Sequence, residues 1–387
     1  LAVLDSNNLP PKDNFQNQSG IDAITGSSNF DISEWMLLQM VAWVWEQPGV
    51  VAMLCKTAVA RKLLRQLWQT NATGSTQIRL FDAPHVFDAA VDACLFVYDA
   101  SQPATSSFVS SQTCPVYVDF SSDSAVAEIG YRNGRLIANI PLFDRWQHLQ
   151  SHGEPVYRWR SGIKHDCANV MELQRVNDAY VNKLGEMVEL EETHLYPMLK
   201  SSDIAGAGGS RTPRWMLVTQ REVGENTRLM KRFSPRTWDY LENHAEMLDG
   251  RKSAIYLRRP RFSIFGVGDY TFSPWKVAIS SLYKRLDFIV VAPYEDKPTV
   301  LDDTCYFLSC QSEAEANLLA DLLNSEPARQ FYESLIFWDA KRAITAKILA
   351  QLDLFALADE LNKRQELEQY GQSLPVPMAR QLTFLDI

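Results

Sequence analysis

The chain has 387 residues, 46% of them hydrophobic and 22% charged, with a net charge of −9, which is enough apolar material for a sizeable core and predicts two domains. No run approaches the roughly 18 apolar residues of a membrane span, and the polar start LAVLDSNNLPPKDN is not a secretory signal. Six scattered cysteines without a CxxC pair (Cys55, Cys94, Cys114, Cys167, Cys305, Cys310) give neither a disulfide framework nor a zinc site, so the expectation is a soluble cytoplasmic chain with reduced core cysteines, no membrane association and no metal.

Residues 1 to 28 are rich in Asn, Ser, Gly and Pro and read as a long loop, of a kind more often functional than idle. With Leu1 first and no strand before the polar segment 5 to 20, the chain is expected to begin inside a larger protein. Asp31 and Glu34 have capping-box spacing; Ile32, Trp35, Met36, Met40, Trp43 and Val44 keep a helical period, and Pro48-Gly49 stops it. VVAMLC (50 to 55) reads as a strand buried on both faces, followed by a helix over 58 to 68, a strand over 78 to 81, and a strand over 91 to 100 that puts Phe96 and Tyr98 on one face. This order is that of the second half of a doubly wound α/β sheet. A Ser-rich loop (102 to 112) leads through CPVYVDF to a hairpin at Asn133-Gly134.

From FDRWQHLQSHGEP the character changes to short strands with bulky aromatics and cations, which places a domain boundary near 143 to 156. The expected domains are residues 1–148 and 149–387. Residues 211 to 285 hold fifteen Lys and Arg against seven Asp and Glu, a local balance of +8 that leaves −17 for everything else. Eleven aromatics share that window, among them Trp215, Trp238, Tyr256 and Phe265. A solvated basic face is one reading; a polyanion partner is the other, with arginines for phosphate and aromatics for stacking. Within it, RPRFSIFGVGDYTFSPWKVAISSLYK (259 to 284) has the period-two spacing of a strand, with Gly266 and Gly268 at a bend or close backbone approach. A strand over 302 to 308 and helices over 313 to 325 and 341 to 364 complete the chain.

Motifs of hydrolases and NTPases are lacking: six dispersed histidines form no ligand cluster, and HExxH, GxSxG and P-loop patterns do not occur. AGAGGS (205 to 210) does not stand between a strand and a helix and reads as a linker. In NNLPPK a leucine separates Asn8 from Pro10 and Lys12 replaces an aromatic, so it reads as a rigid loop, not as the Asn/Asp-Pro-Pro-aromatic tetrad that holds an adenine amine.

The ordered series NLPPKDNF, ITGSSNFDISEWMLL, AMLCKTAVARKLL, FDAAVDACLF, YVNKLGEMVELEETHLYPMLKSSDIA, RKSAIYLRRPRFSIFGVGDYTFSPWKVAISSLYK, DDTCYFL and FWDAKRAIT resembles the N6-adenine-specific DNA methyltransferases that carry a Taq-type C-terminal specificity domain, over nearly the whole chain. The resemblance implies the distal half of a Rossmann-like methyltransferase sheet followed by an α+β DNA-recognition domain. It implies S-adenosylmethionine as methyl donor, a flipped adenine in double-stranded DNA as acceptor, and a restriction-modification or phage-defence setting, with a partner restriction or methyltransferase chain as a further expectation. The cofactor loop and catalytic tetrad are expected before Leu1, so no catalytic residue is assigned. A DNA-specificity subunit completed by a partner chain is the alternative.

Phe96 or Tyr98 is the implied base-stacking aromatic, with core packing as the other reading of either. Lys56, at the carboxyl edge of VVAMLC, is a candidate DNA contact. In the recognition domain the candidates are Lys164, Arg221, Arg251, Lys252, Arg258, Arg259, Lys276 and Lys284, together with Lys341 and Arg342 at a helix start. Each is expected to meet phosphate more often than a base edge.

Overall fold

The computed structural model describes residues 32–45, 47–72, 74–88, 90–101, 112–177, 179–206, 214–340 and 342–371. The chain divides into two compact units, residues 1–145 with 333–340, and residues 146–332 with 341–387. Among the described residues no helix is long and apolar enough to cross a membrane.

The first unit carries helices α1 (Ile32–Trp43) and α2 (Thr57–Gln69) and six strands, β1 (Val50–Lys56), β2 (Ser75–Phe81), β3 (Ala93–Asp99), β4 (Thr113–Tyr117), β5 (Ala127–Arg132) and β6 (Arg135–Ile137). They form one sheet in the order β1-β3-β2-β4-β5-β6. Only β2 with β4 pairs in parallel; the other neighbours are antiparallel, so β1 and β2 run the same way with β3 reversed between them. Helix α2 forms where predicted because Val59, Ala60, Leu63, Leu64, Leu67 and Trp68 share one buried face. Asn71, in the left-handed region at φ 55°, ends it. The hairpin at Asn133-Gly134 is also present: both residues have positive φ (51° and 78°) and close the Arg132–Arg135 pair.

One reading of this unit changes. Strand β1 buries Val51 and Cys55 on one face only, among the described residues, and Leu54 on the other face is exposed. Asp31 of the expected capping box lies outside the described residues; Glu34 is buried and accepts from Lys62 Nζ at 2.8 Å on α2. Residues 333–340 return to this unit, where the Asp339 carboxylate accepts from Thr57 Oγ1 at 2.6 Å and from Arg61, whose guanidinium lies 4.6 Å over the Phe337 ring.

The second unit contributes β7 (Arg160–Ser161), β8 (Glu172–Val176), β9 (Ala179–Asn182), β10 (Met187–Val188), β11 (Leu195–Leu199), β12 (Arg214–Leu217), β13 (Trp275–Ser280), β14 (Ile289–Val291), β15 (Val300–Leu301) and β16 (Cys305–Cys310). They build two sheets, β10-β9-β8-β12-β11-β15 and β14-β13-β16-β7. The core of the first is centred on Trp215, edge-on to Tyr180 with ring centroids 5.4 Å apart.

Most of the run 259 to 284 is not a strand. Only β13 is; the stretch before it is turns and a short 3-10 helix, Asp269–Phe272. Phe262, Ile264, Phe265 and Val267 are all buried, which an alternating half-buried strand does not allow. The backbone of this buried irregular segment is satisfied by distant side chains: Thr219 Oγ1 donates to the Phe262 carbonyl at 2.8 Å, Thr227 Oγ1 to the Arg261 carbonyl at 2.5 Å, and Ile264 N–H to Gln220 Oε1 at 2.9 Å. Gly266 makes the close approach expected of it, since at φ 69° a Cβ there would stand 2.3 Å from the Gly162 carbonyl oxygen.

Helix α3 (Glu313–Leu323) is capped by Ser312, which accepts from Glu315 N–H at 3.2 Å, and is followed by α4 (Glu326–Leu335), which the sequence pattern did not reveal. The long helix expected over 341 to 364 is instead three, α5 (Ala346–Leu349), α6 (Leu354–Glu360) and α7 (Arg364–Gly371). Thr345 and Asp353 cap new starts by accepting from Ile348 N–H and from Phe355 and Ala356 N–H, and Leu352 forms a β-bridge with Gln150 between them.

Candidate nucleic-acid interface

Beyond β12 the second unit runs through a turn into a 3-10 turn (Thr227–Leu229) and short helices to Asp249, and then into the buried irregular segment. Asn226 starts the 3-10 turn by accepting from Arg228 N–H at 3.1 Å. Short elements with buried inner faces leave their outer residues in solvent: Arg221, Arg228, Lys231, Arg232, Lys252, Arg258 and Arg259 are exposed, and so are the apolar side chains of Leu229, Phe233 and Leu257.

Two pockets adjoin at Asn226 and Thr227. One, of about 490 Å³, is lined by Arg228, Arg251, Tyr256, Leu257, Arg259 and Arg261. The other, of about 280 Å³, is lined by Tyr196, Arg221, Phe233 and Phe272 among others. Cations beside exposed apolar and aromatic side chains are the equipment for meeting phosphate and base together.

The structure sorts the sequence candidates. Lys276 is corrected: it is fully buried on β13, burial lowers its pKa to about 7, and Nζ donates to the Ser273 carbonyl at 2.6 Å, so it cannot reach a phosphate. Arg251 turns inward, its guanidinium 3.7 Å from the Tyr256 ring and donating to the carbonyls of Leu248 (2.6 Å), Ser263 (2.8 Å) and His165 (3.2 Å). It braces the irregular segment and is not a free cation. Lys164 is engaged by Asp166 at 2.7 Å and Asp303 at 3.5 Å; burial pulls its pKa down, but the two carboxylates outweigh that and hold it up. Phe96 (0% exposed) and Tyr98 (2%) lie in the core of the first unit, where the alternation of β3 puts them with Cys94.

Lys252, Arg258, Arg259 and Arg221 stay on the surface as expected; Lys284 and Arg342 are exposed elsewhere on the second unit and Lys56 on the first. Arg259 and Arg251 share a pocket. Lys341 lies outside the described residues. Arg228, Arg232 and Arg261 were not singled out, though their charge was counted in the basic window, and Tyr196 lies before that window; nothing local marks them. Arg261 is bonded to Asp249 at 2.8 Å and Glu242 at 2.7 Å. Among the described residues no group of His, Cys, Asp and Glu is placed to hold a metal ion.

The buried polar side chains of the first unit core are engaged within the fold: Glu34 with Lys62, Thr57 with Asp339, and Thr76 with the Thr113 carbonyl at 3.4 Å.

No family model matches the chain. It is 47% identical over 357 residues to the type II methyltransferase M.NspV of Nostoc sp., covering 92% of this chain and 73% of that protein. Among solved structures it aligns at 10% identity and a TM-score of 0.43 with the type IIL restriction-modification enzyme MmeI in complex with DNA, over 89% of this chain and 52% of MmeI, so it spans about half of that protein's length.

Proposed function

The chain belongs to the type II methyltransferase family, and from that premise we propose that it is part of a site-specific DNA adenine-N6 methyltransferase of a restriction-modification system, with the second unit recognising duplex DNA. The observation that carries the DNA reading is the concentration of exposed cations around two adjoining pockets with Leu257, Phe233 and Tyr196 beside them. The crossover in which α2 joins the parallel strands β1 and β2 supports reading the first unit as the distal part of a doubly wound methyltransferase sheet.

S-adenosylmethionine is proposed as methyl donor on the family alone. No chemical step is assigned to the described residues of the first unit. A specificity chain completed by a partner is the second reading. The adenine amine is out of reach inside a stacked duplex, so the reaction class requires an extruded base, and its selectivity comes from positioning.

Two measurements test this. Fluorescence anisotropy with a mixed-sequence duplex, read against salt, is expected to give a log-log slope of about −5 if Arg228, Lys231, Arg232, Lys252, Arg258 and Arg259 each neutralise one phosphate. No binding at low salt sinks the DNA reading. Incubation with duplex and methyl-labelled S-adenosylmethionine, followed by nucleoside mass spectrometry, separates the two forms when run with the chain alone and with a separate methyltransferase chain added: N6-methyladenine from the chain alone supports the methyltransferase, and methyl transfer only with the added chain supports the specificity chain.

A further inference from the structure

We propose that Arg221 is a base-reading residue that recognises a guanine through O6 and N7 in the major groove, while the exposed cations around it meet phosphate. The inference rests on the DNA reading above and goes beyond it by naming one residue and one base.

Arg221 sits on a stiff stem. Val218, Thr219 and Gln220 before it are buried, and Gln220 is held at both ends, Nε2 donating to the Glu225 carbonyl at 2.6 Å and Oε1 accepting from Ile264 N–H. The Arg221 N–H donates to Glu225 Oε2 at 2.6 Å, which closes the turn and occupies the nearest carboxylate with backbone. The guanidinium carbon lies over the Phe272 ring, 4.3 Å from its centroid, and Nη1 donates to Tyr196 Oη at 3.4 Å. Tyr196 and Phe272 are themselves in contact, with centroids 5.1 Å apart.

Among the described residues the other arginines of the unit lack this combination: Arg232 and Arg259 are exposed beside Phe233 and Phe265, at 5.2 and 5.8 Å, but without the bonded hydroxyl. Arg214 is held by Asp203, Arg236 by Glu191, Arg261 by Asp249 and Glu242, and Arg285 by Asp287. Arg251 is stacked, but its donors go to three carbonyls. Arg221 is exposed, is fixed by an aromatic platform and a hydroxyl, and has no carboxylate on its guanidinium among the described residues.

A fork braced by a ring and a hydroxyl loses less freedom on binding than a free one, which matters where geometry is demanding. Phosphate tolerates many approaches; the paired acceptors of guanine do not, and adenine would set an amino donor against the fork.

The test selects binders of the full chain from a random duplex pool, for the wild type, Arg221→Ala and Arg221→Lys, the last of which keeps the charge and loses the fork. The expected result is a guanine position in the wild-type consensus that both variants lose while other positions persist. Replacing that guanine by 7-deazaguanine should then weaken wild-type binding roughly 5- to 150-fold and leave Arg221→Ala unchanged. A consensus identical in Arg221→Ala overturns the assignment, as does wild-type binding with no preferred guanine, and either leaves the DNA reading standing. Failure of the wild type to bind any duplex overturns both.

Discussion

Glu172, the first residue of β8, is 1% exposed, yet its carboxylate accepts from Lys200 Nζ at 2.5 Å and Lys183 Nζ at 2.6 Å, with His165 Nε2 at 3.4 Å. His165 Nδ1 accepts from Cys167 N–H at 3.2 Å, so in the neutral ring Nε2 carries the hydrogen and points it at Glu172. Glu172→Gln keeps the shape and removes the charge that these donors face. Breaking a buried ion pair from one side typically costs about 3–5 kcal/mol. The lower end, about 3 kcal/mol, applies here, because the Lys183 side chain is 43% exposed and Lys200 retains Asp302 at 3.8 Å. For a unit of this size that is a fall of roughly 6–12 °C in melting temperature, readable by differential scanning calorimetry. Burial alone would push the Glu172 pKa up, but bonds from His165, Lys183 and Lys200 outweigh it and hold the carboxyl well below its usual range. A depressed folded pKa means stability that is present above the unfolded value of about 4.3 and lost as pH falls below it. The gap between wild type and Glu172→Gln should therefore be full at pH 7 and narrow between about pH 5 and 3. A variant melting within about 1 °C of wild type at pH 7, or a gap that widens in acid, refutes the reasoning.

Lys276→Met should stabilise the protein by about 2 kcal/mol near neutral pH, since it removes a lysine whose burial lowers its pKa to about 7, less what the unpaired Ser273 carbonyl then costs. With the folded pKa below the unfolded one, the lysine penalty is full below pH 7 and fades toward pH 10, so urea midpoints of the two proteins should converge as pH rises; duplex binding should be unchanged, and a loss of binding would return Lys276 to the interface. Gly266→Ala, with φ 69° and a Cβ 2.3 Å from the Gly162 carbonyl oxygen, should cost more than about 2 kcal/mol, and an unaltered urea midpoint would contradict the close approach.

Elements whose signals are local were legible. The apolar face of α2 and the Asn133-Gly134 turn each act within a few residues. The stretch 259 to 274 was not, because its backbone partners, Thr219, Gln220 and Thr227, lie more than thirty residues earlier, and a period-two spacing of aromatics looks the same whether one face or both are buried. The helix expected over 341 to 364 failed differently: its apolar spacing is continuous, and Thr345 and Asp353 in it were readable as caps. Charge was legible in sum and not in direction. The excess of +8 over 211 to 285 counts Lys276 and Arg251, which point inward, equally with Arg221 and Arg258, which point out.

Arg251, though it points inward, belongs to the candidate interface all the same. Arg258 is exposed with φ 61° and Arg259 follows it, on a stretch with no ladder to hold it. Its next residues are fixed by the Thr227 bond to the Arg261 carbonyl, by the burial of Phe262 and Ile264, and by Arg251, which ties the Ser263 carbonyl to that of His165. An arginine serves this better than a smaller donor, because one guanidinium reaches three carbonyls from a single stem while Tyr256 covers its face. Only part of the cationic excess therefore faces solvent; Arg251 stiffens the loop on which Arg258 and Arg259 stand, and a stiff loop presents its cations at fixed spacing, which a repeating phosphate backbone rewards.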